Sequence, residues 1–284
     1  MRIFVRRTMA RRLAIAVAGQ LLILTAAQAD DSVATHAANY LRDQGTYVPG
    51  WDVALGGGPE VRPTYEGSDR YRHVPGLILN VNWTWADMIS IGTNGISASW
   101  HQDGCRVGVA LAYDTGRRDN TGDGAFQEGD DRLKGLGDIG FAVGPKLFAS
   151  YSVGQVTFSE SVTQFTSGSN GGVQADVGVS WRRTLTERSI LMLHTGASWQ
   201  NRKRVQDFFG VTPTQALNSM FPEFTAHAGV QDVTGSVTYV YRFGEHLFFV
   251  GSADVEQLLD DAASSPITFA STGVTARIGV GYHF

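Results

Sequence analysis

Cysteine is nearly missing: the 284-residue chain has one, Cys105. A lone thiol excludes an intrachain disulfide and any cysteine-based metal site. Long apolar runs are missing as well. Beyond residue 29 no segment approaches the 18 or so consecutive apolar residues of a membrane-crossing helix, which excludes helical spans. Positive charge becomes scarce once the N-terminal stretch is set aside. Residues 1–29 contain Arg2, Arg6, Arg7, Arg11 and Arg12 with no acidic residue, then the apolar stretch 13–24 and the small-x-small site Ala27-Gln28-Ala29. That is the pattern of a signal peptide cleaved after Ala29, with an apolar stretch too short to serve as an anchor. Removing those five arginines leaves 18 of the 23 Lys+Arg against 27 Asp+Glu, a formal net charge of −9. Such a balance excludes nucleic acid as a natural partner.

What is present is glycine and aromatic residue: 34 Gly, six Trp, nine Tyr and 15 Phe. The rest of the chain breaks into period-two segments of about ten residues, the signature of an outer-membrane β-barrel. A soluble periplasmic sandwich is the alternative class, since its strands alternate in the same way. Residues 30–50 are expected to be a periplasmic lead-in and 51–284 the barrel, with no linker dividing them.

Strands are expected at 51–60, 73–83, 88–92, 96–102, 106–114, 136–150, 155–165, 172–183, 189–199, 235–243, 246–257 and 271–284, with an Asn-Gly hairpin step at Asn94-Gly95. The fold class is therefore all-β: a closed antiparallel transmembrane β-barrel of twelve strands, with ten as the alternative. With both termini periplasmic, the long connections near 62–72, 115–135, 200–228 and 258–270 all fall outside, and short turns fall inside. The acidic run 119–131 is expected to be a solvated loop, and TPTQALNSM (212–220) a short helix with Thr212 as N-cap and Pro213 at its first position. At the C-terminus Ile278, Val280, Tyr282 and Phe284 alternate on one face, and Tyr282 and Phe284 form the expected assembly signal for the outer-membrane barrel machinery.

The late strands separate into two faces. Val173, Ala175, Val177, Val179 and Trp181 oppose Gln174, Asp176, Gly178, Ser180 and Arg182, and the same division recurs through the last strands. The apolar face is assigned to lipid and the other to the lumen, because a charge on the lipid face costs about 2–4 kcal/mol at the bilayer midplane. Lumen candidates are Asp176, Arg182, His194, Arg242, Asp254, Glu256 and Arg277. Outside-loop candidates are Arg62, Asp69, Arg70, Arg72, Asp119, Asp123, Glu128, Asp130 and Asp131, with Arg70 and Arg72 offered to lipopolysaccharide phosphates. Candidates on the periplasmic turns are Arg182, Arg183, Glu187 and Arg188. The Gly-rich 56–60 stretch lacks the Gly-Lys-Ser/Thr ending of a phosphate loop. The acidic run misses the calcium-loop register. His194 with Ser180, or His101 with Asp103, are the available catalytic suggestions, and neither spacing implies a triad. The expectation is a protein without catalysis, metal or cofactor.

Several segments resemble the MltA-interacting protein/outer-membrane protein V (MipA/OmpV) family. They are PTYEGSD (63–69) with Pro75, YDTGR (113–117), LKGLGDI (133–139), Phe209-Gly210-Val211-Thr212 with Gln215-Ala216, Ser219 and Pro222, then Ser265-Pro266-Ile267 and the terminal Tyr282-His283-Phe284. His283 stands where the family often has Arg. The resemblance implies an outer-membrane barrel of a Gram-negative bacterium. It also implies a scaffold joining a murein-degrading lytic transglycosylase to a murein-synthesising penicillin-binding protein. Porin-like, osmoregulated or adhesive roles occur in the family too, and it has no defined catalytic residues to carry over.

Overall fold

The computed structural model describes residues 50–85, 87–92, 95–121, 128–166 and 168–284. The expected signal peptide, nearly all of the expected lead-in and Asp123 lie outside those residues.

One large antiparallel sheet dominates. Its strands are β1 (Gly50–Pro63), β2 (Tyr71–Trp85), β3 (Asp87–Gly92), β4 (Gly95–Gln102), β5 (Cys105–Asp114), β8 (Ala142–Val153), β9 (Val156–Phe165), β10 (Gly172–Thr186), β11 (Ser189–Gln200), β12 (Gly229–Arg242), β13 (Leu247–Leu258) and β14 (Thr272–His283). Each pairs with its neighbour in this sequence, and β14 pairs with β1, so the ladder returns on itself. Two short strands, β6 (Arg117–Arg118) and β7 (Glu128–Gly129), pair separately.

Alternation sorts the side chains as the sequence suggests. Val177, Val179, Leu193, Val237, Val255, Ile278 and Val280 are exposed on the outer face, while Ile190, Met192, Val240, Phe248 and Val250 on the inner face are buried. The inner face is less polar than expected. Ala54, Ile78, Ile190, Met192, Val240, Phe248 and Val250 form one cluster on β1, β2 and β11–β13, at the end where the chain turns tightly. Glycine makes this possible: a Cβ on Gly281 would sit 2.3 Å from the Phe248 ring.

At the other end the long connections fold into a cap. It contains helices α1 (Arg202–Phe209), α2 (Pro213–Asn218) and α3 (Asp260–Ser264). Its cores are Ile139, Val205, Phe208, Phe209, Ala226, Leu258 and Ala262, and Tyr65, Leu133, Leu136, Val211, Phe221 and Ile267. Helix α2 begins as the sequence indicates: Pro213 opens it, and Thr212 and Gln215 exchange a full capping box.

Two strand starts lie six residues from where the sequence reading puts them. The strand expected from 136 begins at Ala142, because Leu136 and Ile139 are buried in the cap instead. The strand expected from 235 begins at Gly229. There Ser198 pairs with Asp232 and Trp199 with Val230, so Gln231 is a bulge that breaks the period of two.

Candidate functional site

The capped end of the ring is where polar chemistry concentrates. The loop 64–70 is not a hydrated tip. Tyr65 is 1 % exposed, and its hydroxyl donates to the Ile267 carbonyl at 2.9 Å. Burial pushes that phenol up to about 12. Thr64 donates to Asp130 Oδ2 at 3.0 Å, Arg70 Nη1 pairs with Asp130 Oδ1 at 3.1 Å, and Arg132 pairs with Asp69 at 2.7 Å while lying over the Phe269 ring. Burial raises the Asp130 carboxyl, but hydrogen bonds from the Arg132 backbone and Thr64, with the Arg132 and Arg70 charges, outweigh it and hold the group below the usual range. Asp119 accepts from the backbone of Gly135 and Gly137, and Asp131 from that of Thr121. The acidic run is therefore a framework of the cap, and its expected reading as a solvated loop is corrected at Asp130, which is buried.

Arg204 ties α1 to the ring. Asn201 caps the helix by accepting from the Arg204 backbone, which sets the first turn against β10. The guanidinium pairs with Asp114, donates to Asn170 at 2.9 Å and Gln174 at 3.2 Å, and lies over the rings of Phe165 and Phe208. Arg117 donates to the Phe208 carbonyl at 2.7 Å, and burial lowers its pKa.

Beneath the cap is a cluster of charged residues on the inner face. Arg62 and Arg72, expected among the outside loops, instead occupy β1 and β2, opposite each other on the inner face. Their even spacing from Glu60 and Val74 turns them inward, and Arg62 is 2 % exposed. This removes Arg72 from the lipopolysaccharide surface proposed for the loop. Arg62 lies 3.6 Å from Glu60 and 3.5 Å from Glu128, and Arg277 lies 3.5 Å from Glu60. The opposite wall is acidic. The bulge at Gln231 brings two consecutive residues inside: Gln231 is 3 % and Asp232 is 6 % exposed. Gln231 Nε2 donates to Glu66 Oε2 at 2.9 Å, and Glu256 follows on β13. Burial, then the charges of Glu128 and Asp232, push Glu66 up to about 8, and burial also raises Glu128. Sequence reasoning missed Glu66, Gln231 and Asp232 as a group; only the broken alternation at 230–232 signals the last two.

Among the remaining candidates, Asp176 accepts from Ser161 at 3.0 Å and Gln174 at 2.8 Å. His194 Nδ1 lies 2.9 Å from Ser180 Oγ, a contact the sequence spacing did not imply. Ser180 and His194 are directly opposed in the β10–β11 ladder, so strand register alone accounts for the pair. Asp254 lies 3.5 Å from Ser252, and Arg242 donates to the Glu187 carbonyl at 3.1 Å. Arg182, Arg183, Glu187 and Arg188 are exposed at the tight-turn end. Tyr282 and Phe284 are exposed on the outer face with ring centroids 4.8 Å apart. The side chain of His101 lies outside the described residues. Among the described residues no group of three or more His, Cys, Asp or Glu is placed to hold a metal ion.

The pattern of MltA-interacting protein MipA matches residues 55–284, strands and cap together. The chain belongs to the MipA family. No match was found among curated proteins. Among solved structures the chain is similar to the NanC porin (10 % identity, 81 % of this chain and 98 % of that one, TM-score 0.43). It is also similar to the KdgM porin (9 %, 82 % and 99 %, 0.41) and to OmpT of Vibrio cholerae (9 %, 84 % and 99 %, 0.37). These likenesses are distant.

Proposed function

We propose that this MipA-family protein is a twelve-stranded transmembrane barrel of the bacterial outer membrane. Its role is that of a non-enzymatic scaffold, docking a lytic transglycosylase and a murein synthase at its periplasmic rim. The membrane setting is supported by the outer face, where Val109, Leu147, Val177, Ile278 and Val280 are each more than half exposed. A band of that kind is stable against hydrocarbon, where a closed ring satisfies every backbone group. The observation that carries the scaffold over an open channel is the inner apolar cluster. Val240, Phe248 and Val250 are inner-face residues with 1 % exposure or less, a packing that an open aqueous pore would not give them. The family description names an interaction with MltA, and the rim presents Arg183, Glu187 and Arg188.

One observation favours a channel. Gly108, Ala110, Ser150, Ser159, Ser161 and Ser180 form a partly exposed strip of small side chains on the inner face of β5 and β8–β10. Purified protein in detergent should retain a lytic transglycosylase and a penicillin-binding synthase, and Arg183→Glu with Arg188→Glu should weaken that retention about tenfold. Failure to retain either enzyme, together with steady conductance in planar bilayers, would replace the scaffold with the channel.

A further inference from the structure

The outer face of the barrel holds a carboxyl group that no described residue answers. Glu160 stands in the middle of β9, opposite Ala149 of β8 and Val177 of β10, and its side chain is exposed. It forms no hydrogen bond and no ion pair among the described residues. Strand β9 is 10 residues long, about the length that crosses a bilayer at a tilt, so its middle lies in the middle of the hydrocarbon. Around Glu160 the exposed groups are apolar: Leu147, Tyr151, Phe158, Val162 and Val177. A carboxyl group there is unfavourable against lipid unless another polar group meets it. Ionisable side chains at membrane depth mark function more often than chance.

The chemistry of the face narrows the partner. Among the described residues, every lysine and arginine of the barrel strands alternates to the inner face except Arg183, which stands at the tight-turn end. A second copy therefore brings no lysine or arginine to mid-membrane height, but it does bring another Glu160. A carboxyl group that keeps its proton has an O–H donor as well as acceptors. Two such groups satisfy each other, and an isologous two-fold contact sets a residue near its axis against its own copy. Ala149, directly beside Glu160, is small and lets two walls approach closely. We infer that the outer face of β8–β10 is the contact between two copies of this chain, with the two Glu160 carboxyl groups hydrogen-bonded to each other across a two-fold axis along the membrane normal. The inference rests on the transmembrane reading of the barrel and is independent of docking at the rim. In a single barrel the same carboxyl group meets lipid and is a cost, so the pair forms where copies are concentrated and parts on lipid dilution.

The test uses the full mature protein with Cys105→Ser, folded in lipid vesicles, and a single cysteine introduced by Val162→Cys beside Glu160. Oxidation should link it into dimers, and the linked fraction should fall as lipid is added. Ile278→Cys, five strands round the ring on β14, should not link. Glu160→Val in the Val162→Cys background should weaken association about tenfold, the worth of a hydrogen-bonded pair within a membrane. Glu160→Gln, whose amide also donates and accepts, should keep most of the association. Each variant is checked for folding by its faster gel migration without boiling. Should Val162→Cys fail to fold, Val177→Cys takes its place. Folded protein that links from neither position would overturn the contact, as would equal linking from Ile278→Cys or in Glu160→Val. Parent protein without the faster migration would overturn the barrel and the contact with it.

Discussion

Arg204 shows how a guanidinium side chain can be buried at 1 % exposure: a carboxylate, an amide and two aromatic rings replace its water. Breaking such a pair from one side costs about 3–5 kcal/mol, since the partner is left buried and unanswered. Glu66 is the opposite case, a carboxyl surrounded by other acids. Its folded pKa, about 8, lies above its ordinary value of 4.5. As pH rises the unfolded loop therefore ionises first. The contribution of Glu66 to cap stability is fully present below pH 4.5 and is lost as pH climbs to about 8. Amide exchange of residues 64–70 should accordingly be slower at pH 5 than at pH 8, after correction for intrinsic rates. Glu66→Gln, which keeps the bond from Gln231 but cannot ionise, should flatten the difference. An equal pH response in the variant would place the effect on another group.

At the scale of elements, the seam between β1 and β14 depends on side chains that are not there. A Cβ on Gly58 would lie 2.0 Å from the Ile278 carbonyl oxygen, and one on Gly56 would lie 2.5 Å from that of Val280. Backbone atoms cannot move aside as a flexible side chain can. Gly58→Val is expected to abolish the faster gel migration of the folded barrel, whereas Gly235→Ala, with nothing within 4 Å, should leave it intact. Most strands were legible from alternation, as β10, β11, β13 and β14 show, because a period of two follows directly from one wet and one apolar face. The cap was not. Leu136 and Ile139 read as strand residues, and Arg62 and Arg72 as loop residues, because burial there comes from contacts between segments far apart in sequence. Tyr65 with Ile267 and Arg204 with Asp114 are such contacts. Short-range chemistry within the cap was readable, as the Thr212–Gln215 capping box shows.

For the whole molecule, the outer face carries a charged exception to its apolar character. Glu160 stands on β9 between Ala149 of β8 and Val177 of β10, and it is exposed on the same side as Phe158 and Val162. A carboxylate at that place costs less than an arginine would but is still unfavourable against lipid. Glu160→Val should therefore raise the urea midpoint of the protein folded in lipid vesicles, by an amount worth up to about 2 kcal/mol. A lowered midpoint would mean that Glu160 faces a polar partner and that the lipid boundary runs elsewhere.

The ring that joins β1 to β14 also fixes an order of events. Loop 64–70 is made early along the chain, yet its tyrosine hydroxyl finds its acceptor 202 residues later. Local hairpins form on the way, but a contact of such long sequence separation must wait until the segment around Ile267 has arrived. The cap is consequently a late product of folding, and no chain ending before Ile267 can display it whole. An antibody or ligand that recognises the assembled cap would count finished molecules only.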